Sequence, residues 1–347
     1  VPCCGLLISL TVTSVSCATP FCSASRTTWL TDSGCRVEID SWTGAYYRKF
    51  VSPDKFDGFS GVAILPSFRG DPGRYFSVDH ANPGHRQWWE GFMDHPSVYV
   101  GATNPRTNSE IDTGFSWEQV LDAEKRMVLT KEEDPVTAAD PAGWYRIAAD
   151  GEVLTDPKEQ VLASGWKEIE SKVREEGLHY FIAFRPFYRY NDATGNFWDS
   201  SSDIFFLPGE RPRIDLTHRG NEFRISVALG DRAYTKEFTV QGFADTGRGY
   251  SFKRVNSIDQ YRLLENGLLA GNEGSTVRVI PTAAAALRTG WQEAWLLKAD
   301  GTRVPFAAPH AVNIRGKDCA PRYDSFFRNR SGINRQGGEI LDIAPGE

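Results

Sequence analysis

"RIDLTHRGNEFRISVAL" (Arg213 to Leu229) is the stretch that decides the fold. Two runs of alternating apolar and polar residues flank Arg219-Gly220-Asn221, and a side-chain period of two marks a strand with one buried face. Ile214 and Leu216 on the first run face Phe223, Ile225 and Val227 on the second, which predicts an antiparallel hairpin turned at "RGN". "LLKADGTRVPF" repeats the pattern, turned at Asp300-Gly301. Short alternating runs bounded by Gly, Pro, Asn or Asp recur along the chain, among them "GVAILPSF", "SVYVGAT", "SEIDTGF", "TKEFTVQGF" and "TVRVIP".

Helical spacing is scarce. "GWKEIESKVREEG" places Trp166, Ile169 and Val173 on one face and stops at Gly177. "SIDQYRLLENG" (Ser257 to Gly267) sets Ile258, Tyr261 and Leu264 at helical intervals behind a Ser257 cap. Many short strands with one or two short helices predict an all-β antiparallel β-sandwich. Residues 19–347 read as a single domain, with an acidic, turn-rich excursion at about 122–161 ("KEEDPVTAADPAGW").

Composition narrows the function classes. At 347 residues the chain can bury a sizeable core. A net charge of −6 offers no global basic field to recruit nucleic acid or an anionic membrane. Ten Trp, twelve Tyr and twenty-one Phe against two Met favour β structure with stacking surfaces. The apolar run "CCGLLISLTVTSVSCA" (Cys3 to Ala18) carries small residues at Ser16 and Ala18 and reads as a secretory signal over residues 1–18. No later segment is long and apolar enough to cross a bilayer, so the expectation is a secreted or surface protein. Cys22, Cys35 and Cys319 then remain, an odd number that allows at most one disulfide.

Four stretches carry candidate chemistry. In "NSEIDTGFSWE" (Asn108 to Glu118), Glu110 and Asp112 share one face of a strand, about 6.6–6.8 Å apart along it, with Trp117 nearby. In "LHYFIAFRPFYRYND" one parity offers His179, Arg185 and Arg189, and the other Tyr188 and Tyr190. Arginine that neutralises a sugar carboxylate, beside a His or Tyr base, is what β-elimination requires. The loop "HANPGHRQWWEGFMDHP" crowds His85, Trp88, Trp89 and Glu90 between Gly and Pro residues, a setting in which indoles stack on sugar rings. His80 and His85 are five apart, outside helical metal spacing, and no metal site is assigned. "NDATGNFWDSSSD" (Asn191 to Asp203) has the oxygen-ligand density for a structural calcium, although its spacing fits no EF-hand and reads better as a hairpin tip. Each stretch has an ordinary structural reading as well: solvated strand faces, packed aromatics and anchored loops. No GxSxG, glycine-rich phosphate loop, CxxC pair or HExxH is present.

Two resemblances follow. "EID" at Glu110 to Asp112 resembles the first half of the E-x-D-x-x-E strand of laminarinase-type glycoside hydrolases, which are concanavalin A-like jelly rolls. That resemblance implies Glu110 as nucleophile and Asp112 as its orienting partner. The third acid is missing, since Glu118 lies eight residues on, about 26 Å along an uninterrupted strand. "YFIAFRPFY" is similar to the YFKAGxYxQ strand of alginate-lyase-type jelly rolls, with Tyr180, Phe181 and Ala183 matching and Ile182 in place of the lysine. That resemblance implies a polysaccharide lyase in which Arg185 or Arg189 neutralises and His179 or Tyr190 abstracts the proton. The expectation is therefore a carbohydrate polymer as partner and no cofactor, with lyase, glycoside hydrolase and non-catalytic carbohydrate-binding protein all open.

Overall fold

The computed structural model describes residues 27–30, 36–39, 45–53, 55–76, 91–104, 106–119, 127–130, 145–147, 153–155, 179–180, 182–201, 204–244, 250–263, 269–271, 280–314 and 327–346. The described elements open with β1 (Thr27–Leu30), β2 (Arg36–Ile39), β3 (Ala45–Val51), β4 (Gly58–Ile64) and β5 (Ser67–Arg69). A 3-10 turn, Pro72–Arg74, leads into β6 (Tyr75–Phe76). There follow β7 (Gly91–Phe92) and the long pair β8 (Asp94–Asn104) and β9 (Ser109–Gln119). The acidic segment supplies β10 (Met127–Thr130), β11 (Tyr145–Ile147) and β12 (Val153–Thr155). The aromatic run is β13 (His179–Tyr180) and β14 (Ile182–Asp192), followed by β15 (Gly195–Ser200). Then come β16 (Arg213–Arg219), β17 (Glu222–Leu229), β18 (Arg232–Thr239), β19 (Ser251–Leu263) and β20 (Leu269–Gly271). The last are β21 (Ala285–Leu297), β22 (Arg303–Pro305), β23 (Val312–Ile314), β24 (Phe327–Asn329) and β25 (Glu339–Ile343).

Two antiparallel sheets form the sandwich. One runs β15-β14-β9-β8-β19-β3-β23 with β20 on β19, and the other runs β18-β17-β16-β4-β21-β25-β24 with β5 and β22 on β21. The excursion has a sheet of its own, β12-β11-β10-β13. The hairpin predicted from "RGN" is β16–β17: Leu216 pairs with Ile225 and Ile214 with Val227 around a two-residue turn. Gly220 has φ 60, the left-handed conformation a tight hairpin needs. All five apolar side chains named above lie in the core. At roughly 1.5–3 kcal/mol for each one removed from water, they decide which face of the hairpin turns inward.

The core between the sheets is aromatic. Phe59, Trp291 and Phe306 from one sheet meet Phe50, Phe115, Phe184 and Phe252 from the other. This two-sheet antiparallel sandwich is consistent with the jelly-roll expectation.

One predicted helix is instead a strand. Ser257 to Leu263 belongs to β19, which pairs with β8 on one side and β3 on the other. The helical spacing of Ile258 and Tyr261 is outweighed by a period of two: Phe252, Arg254, Asn256, Ile258 and Gln260 are buried on the interior face, and Lys253, Val255 and Ser257 on the opposite one. Two of the interior polar members are satisfied there, Asn256 by Thr289 and Gln260 by Asp94, and this let the strand masquerade as amphipathic. The other expected helix, Trp166 to Gly177, lies outside the described residues. Among the described residues, no helix is long and apolar enough to cross a membrane.

Candidate functional site

The sheet containing β9 has an outer face, turned away from the core, and ladder register places its side chains in rows. Gly101 of β8 lies opposite Asp112 of β9 on one side and Lys253 of β19 on the other. Asp112 in turn pairs with Arg189 of β14, and Arg189 with Trp198 of β15. The row therefore reads Trp198, Arg189, Asp112, Gly101, Lys253. The next row, two residues along, contains Phe187, Gly114, Tyr99, Val255 and Lys49.

The glycines make this face possible. A Cβ on Gly101 would stand 2.1 Å from Asp112 Oδ1 and 2.6 Å from Lys253 Cε, so only glycine lets the lysine cross β8. Gly114 does the same for Tyr99, whose Cβ would lie 2.5 Å from an added methyl. Tyr99 then packs edge-on to Phe187, 6.1 Å between ring centres, within a small outer apolar cluster that also holds Ala45, Tyr47 and Val255.

Four charges interlock over Gly101. Arg189 donates to Asp112 Oδ2 from Nε (3.0 Å) and Nη2 (2.7 Å). Lys253 Nζ lies 2.7 Å from Asp112 Oδ1 and also donates to Glu110. Asp112 is 1% exposed, whereas 38% of the Glu110 side chain remains open. Burial works against the ionised Glu110, but Lys253, Arg189 and Lys49 together outweigh it and hold its pKa at about 2. Burial likewise opposes the charged Lys253, and Asp112 and Glu110 overcome it to raise its pKa. Lys49 fares differently. It is 6% exposed, and burial followed by repulsion from Lys253 lowers its pKa to about 8 despite the two carboxylates. With Lys49 protonated, three cations face two anions, an excess of one positive charge.

A groove of about 430 Å³ opens on this cluster, lined by Glu110, Asp112, Arg189, Tyr190, Asn191, Asn196, Phe197 and Trp198. Trp198 is 53% exposed and Phe197 41%. An open indole beside a guanidinium and a carboxylate can stack on a flat apolar ligand surface while charged groups address its substituents.

The structure sorts the predicted residues. Glu110, Asp112 and Arg189 come together in the groove. Tyr190 lines it, but its ring turns to the other face and stacks on Phe197 (5.1 Å) and Phe238 (6.0 Å). Arg185 is on the same outer face yet serves as a pin, donating to Ser201 O at 2.6 Å and to Glu118 at 3.3 Å. Trp117 and Tyr188 are corrections as ligand-binding residues. Trp117 is buried in the core against Phe184 (4.9 Å) and Phe68, and Tyr188 stacks on Phe238 at 4.5 Å. Both occupy the inward parity of their strands, which a polymer cannot reach. His179 lies in β13, paired with Thr130 in the small sheet, and its side chain is outside the description. His85, Trp88, Trp89 and Glu90 lie outside the described residues.

Glu118 does not complete a glycosidase constellation. β9 runs without a break from Ser109 to Gln119, so the sharp fold at Gly114 that would return Glu118 to Glu110 does not occur. Burial raises the Glu118 pKa against the opposing pull of Arg185, and Ser116 donates to its carboxylate.

The stretch considered for calcium is the β14–β15 hairpin. Asp192 accepts from Thr194 N and Gln241 N, each at 2.7 Å. No cluster of metal-ligating side chains occurs among the described residues.

Sequence reasoning missed Lys49, Lys253 and Trp198. Each sits singly in a short alternating run, and a lone lysine on a strand reads as an ordinary solvated residue. The outward parity of Trp198, adjacent to a hairpin turn, was the one usable signal.

No family model matches the chain, and a search of curated proteins returns no match. Among solved structures, it is similar to Scytalido-glutamic peptidase with a peptide-based transition-state analogue, at 12% identity over 87% of this chain and 97% of that one, with a TM-score of 0.41. It is also similar to SCP-B, a member of the eqolisin family of peptidases, in complex with a tripeptide (12% identity, 87% and 96% covered, TM-score 0.38). A third is the alginate lyase from Klebsiella pneumoniae (8% identity, 66% and 60% covered, TM-score 0.23). Likenesses this distant do not bear on activity.

Proposed function

We propose that the protein engages an acidic, uronate-bearing carbohydrate polymer along the groove beside Trp198, and that cleavage there, where it occurs, is by elimination. The observation that carries this reading is the exposed indole of Trp198 directly across the ladder from Arg189. Indole faces stack on the C–H faces of sugar rings. The adjoining cluster, with its excess of one positive charge, suits a sugar carboxylate.

Hydrolysis by paired carboxyls has little support in this geometry. A retaining glycosidase sets two carboxyls about 5–5.5 Å apart and needs one of them protonated. Glu110, held at about 2, has no proton to give near neutrality. Asp112 is enclosed and ion-paired to two cations, which leaves it a poor nucleophile. Elimination instead needs a base beside a neutralised carboxylate, and the positive charge of the cluster serves the neutralisation. An extracellular location accompanies this reading, supported by the apolar run Cys3 to Ala18.

The test is affinity electrophoresis against neutral and uronic-acid polysaccharides, with reducing ends and ultraviolet absorbance followed in parallel. Uronate polymers are expected to retard the protein and neutral ones not, and Trp198→Ala should weaken binding about tenfold, the loss of one stacking contact. An unsaturated, absorbing product identifies a lyase, and binding without product identifies a binding protein. New reducing ends without absorbance sink the elimination chemistry. Absence of uronate binding, or equal binding by Trp198→Ala, sinks the whole reading.

A further inference from the structure

The inner face of the sandwich holds a charge that its neighbours leave uncompensated. Arg254, on β19, is 1% exposed and points between the sheets. Its guanidinium lies 4.4 Å from the centre of the Phe50 ring and 5.6 Å from that of Phe306. Aromatic faces satisfy the flat surface of a guanidinium but not the N–H groups in its plane, and Arg254 Nε and Nη2 have no hydrogen-bond acceptor among the described residues.

The carboxylate whose charge acts on Arg254 is already committed. Glu339 on β25 takes Arg48 Nη2 on Oε1 (2.8 Å) and Arg48 Nε on Oε2 (3.2 Å). Two guanidiniums thus draw on the charge of one carboxylate, and among the described residues an excess positive charge stays in the interior. A third donor adds to the imbalance. Trp291 stands opposite Glu339 in the β21–β25 ladder, and its buried Nε1 also lacks an acceptor among the described residues. Its ring packs on Phe59 (5.1 Å), which in turn packs on Phe306 (6.2 Å), so indole and guanidinium border the same aromatic patch.

We propose that the sandwich interior binds a small monovalent anion of the halide class at the in-plane edge of the Arg254 guanidinium. Among the described residues every unmet group in this region is a donor, so the partner that fits is an acceptor. A water would satisfy N–H groups but leave the charge, and a buried unpaired charge is far more costly than a buried unpaired dipole. The enclosure of Arg254 by Phe50 and Phe306 favours a monatomic ion over a carboxylate or phosphate. Burial, ahead of the opposing pull of Glu339 and the repulsion of Arg48, lowers the Arg254 pKa to about 10, which accords with a cation short of counter-charge.

The test compares thermal unfolding of the full chain in sodium chloride, sodium bromide and sodium gluconate at one ionic strength, together with anomalous scattering from bromide-soaked crystals. A saturable rise in melting temperature with either halide over gluconate is expected, with a bromide peak beside Arg254. Arg254→Lys keeps the charge but loses the in-plane fork, and should abolish the difference between halide and gluconate. Identical melting of the wild-type protein in all three salts, or a wild-type crystal with a water and no bromide at the guanidinium, would overturn the proposal. Both of those results are independent of whether the variant folds.

Discussion

Lys49 shows how a single residue can be set by its surroundings. Its pKa lies at about 8 in the folded protein against 10.5 for an unperturbed lysine, so between those values the unfolded chain binds the extra proton. Stability therefore rises with pH across this window: the cost of the buried charge is fully present below pH 8 and is relieved as pH passes 10.5. The rise amounts to at most about 3 kcal/mol. Denaturant titrations of the wild-type protein and of Lys49→Met, from pH 7 to 10.5, should converge or diverge by that amount, with the variant lacking the Lys49 rise. A constant difference between the two across the window would refute the assignment. None of this was legible in "AYYRKF", where Lys49 reads as one more polar residue on a strand. Burial and the proximity of Lys253 depend on which strands become neighbours.

At the scale of the strand, β8 and β9 work as a unit because Gly101 and Gly114 remove two side chains from the outer face. Gly101→Ala puts a methyl against Asp112 Oδ1 and also 2.4 Å from the Ile111 carbonyl, which is backbone and cannot swing aside. The substitution should cost about 2 kcal/mol as an overpacked site, part the Lys253–Asp112 pair, and weaken polymer binding along with stability. Equilibrium unfolding and affinity electrophoresis on the one variant check both effects, and wild-type values in both would discredit the bridge. The same elements show where pattern reading succeeds and fails. The parity of β14 correctly grouped Arg185 with Arg189, but only strand pairing tells that one is tied to Glu118 and the other to Asp112. On β19, polar residues that are satisfied inside the core break the apolar alternation, and helical spacing prevailed in the reading for that reason.

Across the whole molecule, the two sheets are joined by charge as well as by aromatic packing. Arg48 on β3 and Glu339 on β25 form a bidentate pair between them, with the carboxylate almost wholly buried. Glu339→Gln leaves both Arg48 and Arg254 short of an anion and should destabilise by about 3–5 kcal/mol, the usual consequence of removing one partner of a buried pair. Chemical denaturation monitored by tryptophan fluorescence checks this, and a loss under about 1 kcal/mol would mean that solvent reaches the pair. What sequence alone determined is local: the β16–β17 hairpin, the inward and outward parities of the strands, and the abundance of aromatics that fills the core. Those features depend on neighbours a few residues apart and a side-chain period of two. What only the tertiary structure decided is who meets whom. Lys253 reaches Asp112 from 141 positions along the chain, because strand order is set by packing between sheets. That order carries no repeating signal along any single strand.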